Sequence, residues 1–217
     1  MGASQIRHAL QWIAAFLEGQ EGSLVRRLAV APKTAQSLTQ IQADASPWGM
    51  GATLSVDGQV RRWFGCPLED GDLDVLGFAR GDCRGQALAE ALCLAVAVRE
   101  WAEDWQDERT VLLARSDAVA ALGAINRLTS STPALNKIVR EIALDLAESR
   151  YDLELLSHVP ATWNTTPDAL SRLFAPEGDR LQVPAGLRAE DRTWPRARDH
   201  TWWRTLGPPG QHHDDEF

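Results

Sequence analysis

Residues 37–64, SLTQIQADASPWGMGATLSVDGQVRRWF, decide the fold class of this chain. Within them, Asp57-Gly58 separates two short segments rich in strand-forming residues, and an Asp-Gly pair in that setting is the strongest short signal for a β-hairpin. A third segment of this kind precedes the hairpin. We therefore predict three consecutive strands, over Ser37–Asp44, Met50–Val56 and Val60–Phe64.

Helical and strand patterns alternate after this hairpin. Thr166-Pro167, a capping residue followed by proline, predicts the start of the last helix. The resulting order is three strands, a helix, a strand, two helices, a strand and a helix, which is typical of an α/β domain with a mixed sheet. The acidic, glycine-containing segment 68–85 is predicted as a loop. The other helices are predicted over 86–105, 118–128 and 133–148, and the other strands over 110–114 and 153–157.

Two flanking segments differ from this pattern. Residues 1–36 are predicted as an N-terminal lead-in with one amphipathic helix, because apolar residues recur there at helical spacing. Residues 37–173 are predicted as the α/β domain. Residues 174–217 are rich in Pro, Gly, Arg and Trp without periodicity, and are predicted as an irregular tail that folds back on the domain. The amphipathic helix is predicted from Ile6, Leu10, Ile13 and Leu17. The tail is expected to fold back because it contains Trp194, Trp202 and Trp203.

Composition and charge narrow the class of protein. The 217 residues are 44% hydrophobic and 24% charged, which is typical of a soluble globular chain. No apolar run approaches the roughly 20 residues of a membrane helix, and three cysteines without zinc-ligand spacing favour an intracellular protein, cytoplasmic or nuclear. The net charge of −8 argues against a self-sufficient nucleic-acid binder, because phosphate contacts supply most non-specific affinity.

Four acidic residues stand at the ends of predicted strands or in the first turns of predicted helices. Strand ends and helix starts at one edge of a sheet can bring their side chains together. Asp is depleted in strands, so an Asp at a strand end is unusual. Carboxylates gathered in this way repel one another and cannot all stay ionised. Hard divalent cations such as Mg²⁺ resolve this conflict because they take oxygen ligands, and a pair of them is suited to phosphodiester cleavage. The four acids are Asp44, Glu90, Asp117 and Asp168.

Short motifs surround these acids in chain order. They are Asp-Ala-Ser-x-x-Gly-x-Gly-Ala at 44–52, a Glu in a Leu/Ala-rich helix at 90, Ser-Asp followed by Ala-Leu at 116–122, and His-x-Pro…Asn…Asp-Ala-Leu-Ser-Arg at 158–172. Together they resemble the ribonuclease H domain of retrotransposon reverse transcriptases, with gypsy-type and DIRS-like elements the nearest in pattern. The resemblance spans roughly residues 40–173.

The resemblance implies a fold and an activity. The fold is ribonuclease H-like, a five-stranded mixed sheet with strands one to three antiparallel, flanked by helices. The activity is cleavage of the RNA strand of an RNA–DNA hybrid with two divalent cations, Mg²⁺ or also Mn²⁺. The expected partner is the polymerase domain of the same polyprotein, from which residues 1–36 would continue. This partner would carry much of the hybrid binding, because no basic loop or helix like the family's substrate-gripping one is visible in this sequence.

The resemblance also assigns roles to individual residues. The four acids correspond to the metal-binding and catalytic tetrad, and His158 corresponds to a mobile histidine that helps to move protons or release product. Ser46 and Asn164 are the candidates for substrate binding. Glycines 49 and 51 suit a tight turn directly after the first catalytic Asp.

Other interpretations remain open at this point. Asp44 could be a turn residue, and Asp117 and Asp168 could cap the helices that follow them. The domain could be a catalytically silent connection module of a polyprotein, although such modules lose the carboxylates. It could also be another nuclease of the same superfamily, such as a recombination nuclease, an integrase or an exonuclease. An exonuclease would more typically carry an Asp-x-Glu pair in its first strand.

Overall fold

A computed structural model describes residues 3–19, 38–105, 111–148 and 152–206 of the chain. Eleven helices and strands lie in these ranges, together with four short 3₁₀ turns. In chain order they are α1 (Ala3–Gly19), β1 (Thr39–Ser46), β2 (Gly49–Val56), β3 (Gln59–Pro67), α2 (Asp70–Leu76), α3 (Gln86–Glu100), β4 (Val111–Ser116), α4 (Val119–Arg127), α5 (Pro133–Glu148), β5 (Asp152–His158) and α6 (Thr165–Ser171). The 3₁₀ turns are Cys83–Gly85, Ala102–Trp105, Ala161–Trp163 and Ala189–Asp191.

The five strands form one mixed sheet in the order β3-β2-β1-β4-β5. Strands β1, β2 and β3 are antiparallel to one another, and β4 runs parallel to both β1 and β5. The predicted five-stranded mixed sheet, with strands one to three antiparallel and helices flanking it, is confirmed. Because β1 and β4 are parallel neighbours, their carboxyl ends lie at the same edge of the sheet, where residues from both can meet.

The predicted hairpin is present between β2 and β3. Asp57 and Gly58 both have positive φ, 51° and 78°, as a type I′ turn requires. The Asp57 carboxylate also accepts a hydrogen bond from the Leu38 backbone N–H at 2.8 Å, which ties the turn to the start of β1. This turn sets the register of β2 against β3.

The segment after β3 is partly helical, so the prediction of a loop over 68–85 is wrong. Helix α2 begins after Glu69, whose backbone N–H donates to Asp72 Oδ2 at 3.1 Å, and it ends at Gly77 in the left-handed conformation. Leu73 and Leu76 are buried against the core. Seven residues are too few for a helical periodicity to stand out in an acidic sequence, whereas the acidic cap at the start of α2 is a recognisable helix signal.

Helix α3 is shorter than predicted. It ends at Glu100, and the chain continues as the 3₁₀ turn Ala102–Trp105. Trp101 at this junction is 1% exposed, and its indole N–H donates to Thr193 Oγ1 at 3.1 Å. A buried indole at this point anchors the end of the helix.

The two faces of the sheet are covered differently. Alternate residues of β1, such as Ala43 and Ala45, face a core that contains the buried residues of α3, α4 and α5. The intervening side chains of Asp44 and Ser46 face the other way and bond to Ser171 of α6. Side chains of neighbouring strand positions point to opposite faces, so α3 and α6 lie on opposite sides of the sheet.

Three glycines form the surface on which α6 packs. A Cβ added to Gly51 would lie 2.4 Å from Pro167 O, and one added to Gly65 would lie 2.8 Å from Leu170 O. A Cβ added to Gly49 would likewise lie 2.8 Å from Ser171 O. The predicted tight turn is present at Pro47-Trp48 and Gly49 closes it, whereas Gly51 lies two residues into β2; neither glycine has a positive φ. These glycines allow the backbone of α6 to approach the sheet closely.

Helix α1 is present as predicted, but its apolar face is solvent-exposed. Ile6, Leu10, Ile13 and Leu17 are each 43–60% exposed, whereas Ala15 is buried. Helix α1 lies against α5, and Gln11 donates to Leu206 O at 3.5 Å. In the described ranges, no helix combines the length and apolarity needed to cross a membrane.

Residues 174–206 are irregular, as predicted, and lie against the domain. Arg198 is 2% exposed and its Nε binds Asp72 Oδ2 at 2.7 Å. Trp202 and Trp203 are buried as predicted, but the prediction is wrong for Trp194, which is 63% exposed. The domain boundaries at residues 36 and 173 stay predictions.

The end of this tail bonds to charged residues of α3 and α5. We call this group the tail cluster; it consists of Arg99 of α3, Glu141 and Asp145 of α5, and Arg204 and Thr205 of the tail. Arg99 Nη2 lies 3.0 Å from Glu141 Oε2 and 2.9 Å from Asp145 Oδ2. Thr205 donates to Glu141 Oε1 through both its backbone N–H and its hydroxyl, each at 2.7 Å. The Arg99 guanidinium also covers the Trp202 ring at 4.2 Å. The tail is therefore held by charge as well as by apolar packing.

Candidate metal centre

Asp44 lies inside β1 rather than at its end, since the strand continues to Ser46. Its side chain points to the α6 face and is 5% exposed. Oδ2 accepts a hydrogen bond from Ser171 Oγ at 2.9 Å, and Oδ1 accepts one from Asn164 Nδ2 at 3.3 Å. Burial, followed by the negative charges of Asp117 and Asp168, raises the pKa of Asp44 to about 7, although the Ser171 bond acts in the opposite direction.

Glu90 reaches the same place from α3, one turn into the helix. It is 3% exposed, and both of its carboxylate oxygens are hydrogen-bonded: Oε1 to Gln86 Nε2 at 2.8 Å and Oε2 to Ser116 Oγ at 3.1 Å. Burial and the charges of Asp44 and Asp117 raise the pKa of Glu90 to about 8. Near neutral pH these two acids therefore hold protons unless a cation compensates them.

Asp117 completes the group directly after β4. One ligand oxygen each from Asp44, Glu90 and Asp117 lies within 4.8 Å of the others, and we call these three residues the carboxylate cluster. Asp117 Oδ1 is buried and has no hydrogen-bond partner among the described residues. An unpartnered buried carboxylate oxygen costs free energy, so this atom is available to a ligand.

Asp168 stands apart from the carboxylate cluster. Its Oδ1 accepts a hydrogen bond from Arg172 Nε at 2.7 Å, four residues later, and both side chains are 39% exposed. Its charge still contributes to the raised pKa of Asp44. Three of the four predicted ligands are thus brought together, and the fourth lies nearby in an ion pair at the surface.

The cluster fits a hard divalent cation. All of its donors are carboxylate oxygens, which Mg²⁺ and Mn²⁺ prefer, and Asp117 Oδ1 is left without a partner. A cation bound by Asp44, Glu90 and Asp117 would relieve the mutual repulsion that raises the pKa values of Asp44 and Glu90. Without a cation, carboxylates held this close remain partly protonated.

The three other predicted site residues occupy different environments. Asn164 precedes α6, is 1% exposed, and donates to both Ala43 O and Asp44 Oδ1, while its own Oδ1 is buried without a partner. His158 ends β5 in register with Ser116 of β4, but its side chain lies outside the described part of the structure, so its role stays a prediction.

Ser46 is bonded within the protein. Its hydroxyl donates to Ser171 O at 2.8 Å and accepts from the backbone N–H groups of Trp48 and Gly49, each at 3.2 Å. The side chain is 1% exposed. These bonds hold the turn between β1 and β2 against α6. A contact between Ser46 and substrate stays a prediction, and the burial of Ser46 counts against such a contact.

Three residues that were not predicted from the sequence orient the carboxylates. Gln86 and Ser116 bind Glu90, and Ser171 binds Asp44. Each could be found from a local signal, because Gln86 lies one helical turn before Glu90, Ser116 directly precedes Asp117, and Ser171 belongs to the Asp-Ala-Leu-Ser-Arg motif. Their hydrogen bonds fix which way the acids point.

Arginines give the site little free positive charge. Arg62, Arg80 and Arg84 lie in ion pairs at the surface, and Arg99 belongs to the tail cluster. Arg115 lies in β4, two residues before Asp117, and its Nε is buried without a hydrogen-bond partner among the described residues.

No family model matches the chain, and no curated protein matches it. Among solved structures, it is similar to a ribonuclease H1 of the halophilic archaeon Halobacterium salinarum, with 18% identity and a TM-score of 0.44 over 61% of this chain and 92% of that one. It is also similar to an N-terminal ribonuclease H domain from Mycobacterium tuberculosis, with 17% identity and a TM-score of 0.45 over 61% and 94% of the two chains.

A third similar structure is a foamy viral protease-reverse transcriptase in complex with an RNA/DNA hybrid. It has 13% identity and a TM-score of 0.40, over 73% of this chain and 23% of that one. These identities and TM-scores are low, and the strand order and pairing of the sheet define the fold.

Proposed function

We propose that this chain is a metal-dependent ribonuclease H that cleaves the RNA strand of RNA–DNA hybrids. The observation that carries the proposal is the carboxylate cluster, in which oxygens of Asp44, Glu90 and Asp117 lie within 4.8 Å of one another. The cluster joins a residue inside β1, one in α3 and one directly after β4, on a sheet of the expected topology. Acids of this kind in the interior are costly unless a cation is part of their function.

A cation held by Asp44, Glu90 and Asp117 would supply Lewis-acid stabilisation of the negative charge that develops on phosphate oxygens during hydrolysis. The residues of this chain supply orientation. Ser171 Oγ and Asn164 Nδ2 hold one oxygen each of Asp44, and Gln86 and Ser116 hold the two oxygens of Glu90. We propose that two cations bind here, and that Asp168 joins the site by leaving its ion pair with Arg172 when substrate or metal arrives.

Discrimination between RNA and DNA would come from contacts to the 2′-hydroxyl and from the shape of the hybrid. We propose His158 as the group that moves a proton or assists product release, and Asn164 as a substrate contact through its unpartnered Oδ1. The Arg115 guanidinium, on the strand that leads into Asp117, is suited to binding one phosphate.

The proposed context is the reverse transcriptase of a retroelement, of gypsy or DIRS-like type. The order and spacing of the four motifs between residues 44 and 172 support it. The polymerase domain of the same polyprotein would then be the partner that holds much of the hybrid. A chain with a net charge of −8 has little general attraction for a polyanion, and a separate binding domain would supply it.

A silent connection module is the second candidate, and the ion pair between Asp168 and Arg172 favours it. If that pair persisted with metal and substrate, the fourth acid would be lost to the site. Cleavage of a labelled RNA–DNA hybrid in Mg²⁺ or Mn²⁺ separates the two candidates, with Asp117→Asn as the paired variant. RNA cut by the wild type only, and only with metal, is the expected result. No cutting by either protein, with the fold intact and a polymerase domain added in trans, would overturn the proposed nuclease.

A further inference from the structure

Helix α1 divides its side chains between two opposite faces. On one face Ala15 is buried, and Trp12 and Phe16 beside it are half-buried, with ring centroids 5.4 Å apart. Gln11 on this face bonds to Leu206 O. The opposite face is an exposed row of large apolar residues, which we call the α1 seam: Ile6, Leu10, Ile13 and Leu17, which are 47%, 60%, 46% and 43% exposed. A contiguous exposed apolar row on a helix that is already packed marks an interaction surface.

The spacing of the α1 seam is that of a helix-pairing surface. Its members are separated by four, three and four residues, which is the a and d pattern of a coiled coil with a repeat of 3.5 residues. A helix that packs on a globular core usually carries a wider apolar stripe. Ala9 and Ala14 border the seam and are exposed, so no bulky side chain at these positions keeps a second helix away. The expected occupant is therefore another helix with a matching row.

The α1 seam matches its own reverse. The separations four, three and four read the same from either end, so an antiparallel copy of α1 repeats the row without a shift in register. Leu10 would then lie opposite Ile13 of the partner subunit, and Ile6 opposite Leu17 of the partner subunit. A surface that is complementary to a copy of itself turned by 180° is what a two-fold symmetric dimer requires.

The charged residues beside the seam favour the same arrangement. Arg7 and Glu18 are both exposed and lie eleven residues apart, which is close to three helical turns and places them on one flank of α1. An antiparallel copy brings Arg7 near Glu18 of the partner subunit, and this contact occurs twice in a symmetric pair. A parallel copy would place Arg7 beside the partner's Arg7 and Glu18 beside the partner's Glu18. Charge therefore selects the antiparallel orientation.

We propose that two copies of this chain associate through antiparallel α1 helices that bury the α1 seam between them. Since α1 lies against α5 in each copy, the dimer stacks four helices, with the two α1 helices at the centre. A helix of 17 residues is about 25 Å long, so the contact is small and belongs to the class of reversible interfaces. The inference does not depend on the proposed nuclease activity.

Sedimentation equilibrium of the full chain over a wide range of concentrations is the test. The wild type is expected to change from monomer to dimer as its concentration rises. Leu10→Glu should raise the dissociation constant by at least about 100-fold, because each copy would bury a charge without a partner. Leu181→Glu is the matched control, since Leu181 lies in the tail and is 41% exposed, and it should leave the dissociation constant unchanged. A wild type that stays monomeric at every concentration, or a dimer that Leu10→Glu does not weaken, would overturn the proposal.

Charge reversal tests the orientation. Arg7→Glu should weaken the dimer by roughly 10-fold, because two exposed ion pairs become two repulsions. Adding Glu18→Arg to the same chain should restore the wild-type dissociation constant, since both pairs form again with exchanged signs. In a parallel dimer the single reversal would change nothing, and that result would rule out the proposed arrangement. These variants keep the apolar residues of α1, so they decide the question even if Leu10→Glu loses helix by circular dichroism.

A lipid surface is the other occupant that an exposed apolar helix face could take. Flotation of the wild type with phosphatidylcholine vesicles measures this directly. Vesicle binding that Leu10→Glu abolishes, by a chain that does not self-associate, would assign the α1 seam to a membrane surface and overturn the dimer. We expect no flotation, because the seam is narrow and Arg7 and Glu18 lie close to it on one flank.

Discussion

The carboxylate cluster and the tail cluster both contain buried acids, but the surroundings of those acids are opposite in charge. In the tail cluster, Glu141 and Asp145 meet Arg99 and Arg204, and Thr205 donates twice to Glu141. In the carboxylate cluster, acids meet acids and neutral donors, and Asp117 Oδ1 has no partner among the described residues. Both groups bear the cost of burial, but only the first is compensated by the protein's own cations.

The difference separates structure from function. Buried groups of opposite charge joined by hydrogen bonds hold an arrangement of elements, here the attachment of the tail to α3 and α5. A buried group of like charges destabilises the fold until a ligand of opposite charge arrives. Strongly perturbed pKa values of this second kind are typical of functional sites. The same substitution, Glu to Gln, should therefore have opposite consequences in the two clusters.

Glu90→Gln should have the largest effect on activity. It removes a proposed ligand from the carboxylate cluster, and cleavage of an RNA–DNA hybrid is expected to fall well beyond about 100-fold, since loss of residues that merely orient metal ligands costs up to that much. The free energy of unfolding in EDTA at about pH 8 should stay the same or rise, because one repelling charge is gone. Hybrid cleavage and urea unfolding measure the two quantities, and a large loss of stability together with retained cleavage would contradict the comparison.

Glu141→Gln should do the reverse. It takes the charge from a residue that is 0% exposed and leaves Arg99 with one fewer carboxylate. Breaking a buried pair in this way is expected to lower the free energy of unfolding by roughly 3 kcal/mol. Urea unfolding monitors the loss, and the kcat of the folded fraction should be unchanged. A fall in kcat at full stability would place the tail cluster in the catalytic machinery, against this account.

The pH dependence of stability sharpens the comparison further. The folded pKa values of Asp44 and Glu90, about 7 and about 8, lie above their ordinary values of 3.8 and 4.5. The native state therefore binds more protons than the unfolded state between about pH 4 and pH 8, and the free energy of unfolding of the metal-free protein should fall as the pH rises through this window. Saturating Mg²⁺ should restore it at the upper end, because the cation binds only the folded cluster.

Urea midpoints at several pH values, with EDTA and with Mg²⁺, check this expectation. Asp44→Asn isolates the contribution of the site, since other buried acids titrate in both proteins. The variant should have a flatter pH profile in EDTA and a smaller response to Mg²⁺. Identical profiles for Asp44→Asn and the wild type would show that the cluster does not carry the pH dependence.

Ser171→Ala and Ser46→Ala form the pair with the smallest expected effects. Ser171 donates to Asp44 Oδ2, and its loss should reduce metal affinity or activity by about 10-fold. Ser46 bonds only to backbone atoms, so Ser46→Ala should cost about 1 kcal/mol of stability without changing metal affinity. Calorimetric titration with Mg²⁺ and thermal unfolding separate the two. A larger change in hybrid KM for Ser46→Ala than for Ser171→Ala would favour the predicted role of Ser46 in substrate binding.

The fold was predictable because its signals are local and strong. The Asp57-Gly58 turn predicts a hairpin, and α5 begins and ends at the predicted residues because its apolar positions repeat over four turns. Helix α2 was not predictable by the same means, because the seven residues between Glu69 and Gly77 are too few to show a helical period. The close packing of α6 was missed as well, since a glycine in a strand gives no sign of which element approaches it.

The site was predictable as a set of acids, but its geometry was not. Chain order and motifs pointed to Asp44, Glu90 and Asp117, which the fold brings together. The position of Asp168 depends on a competition between the cluster and Arg172, and only coordinates show which partner it has. The burial of Ser46 and the exposure of Trp163 were unpredictable for a similar reason, because both depend on how a turn packs rather than on residue type.

Assembly of the site depends on three strand positions beneath α6 that must be glycine. Gly49, Gly51 and Gly65 leave no room for even one methyl group against the backbone of that helix. Helix α6 carries Asp168 and Ser171, and Asn164 immediately precedes it. A chain that kept every acid but had alanine at these positions would have all the chemistry and no means to assemble it. These three glycines are therefore as informative as the carboxylates for recognising relatives in which the site can assemble.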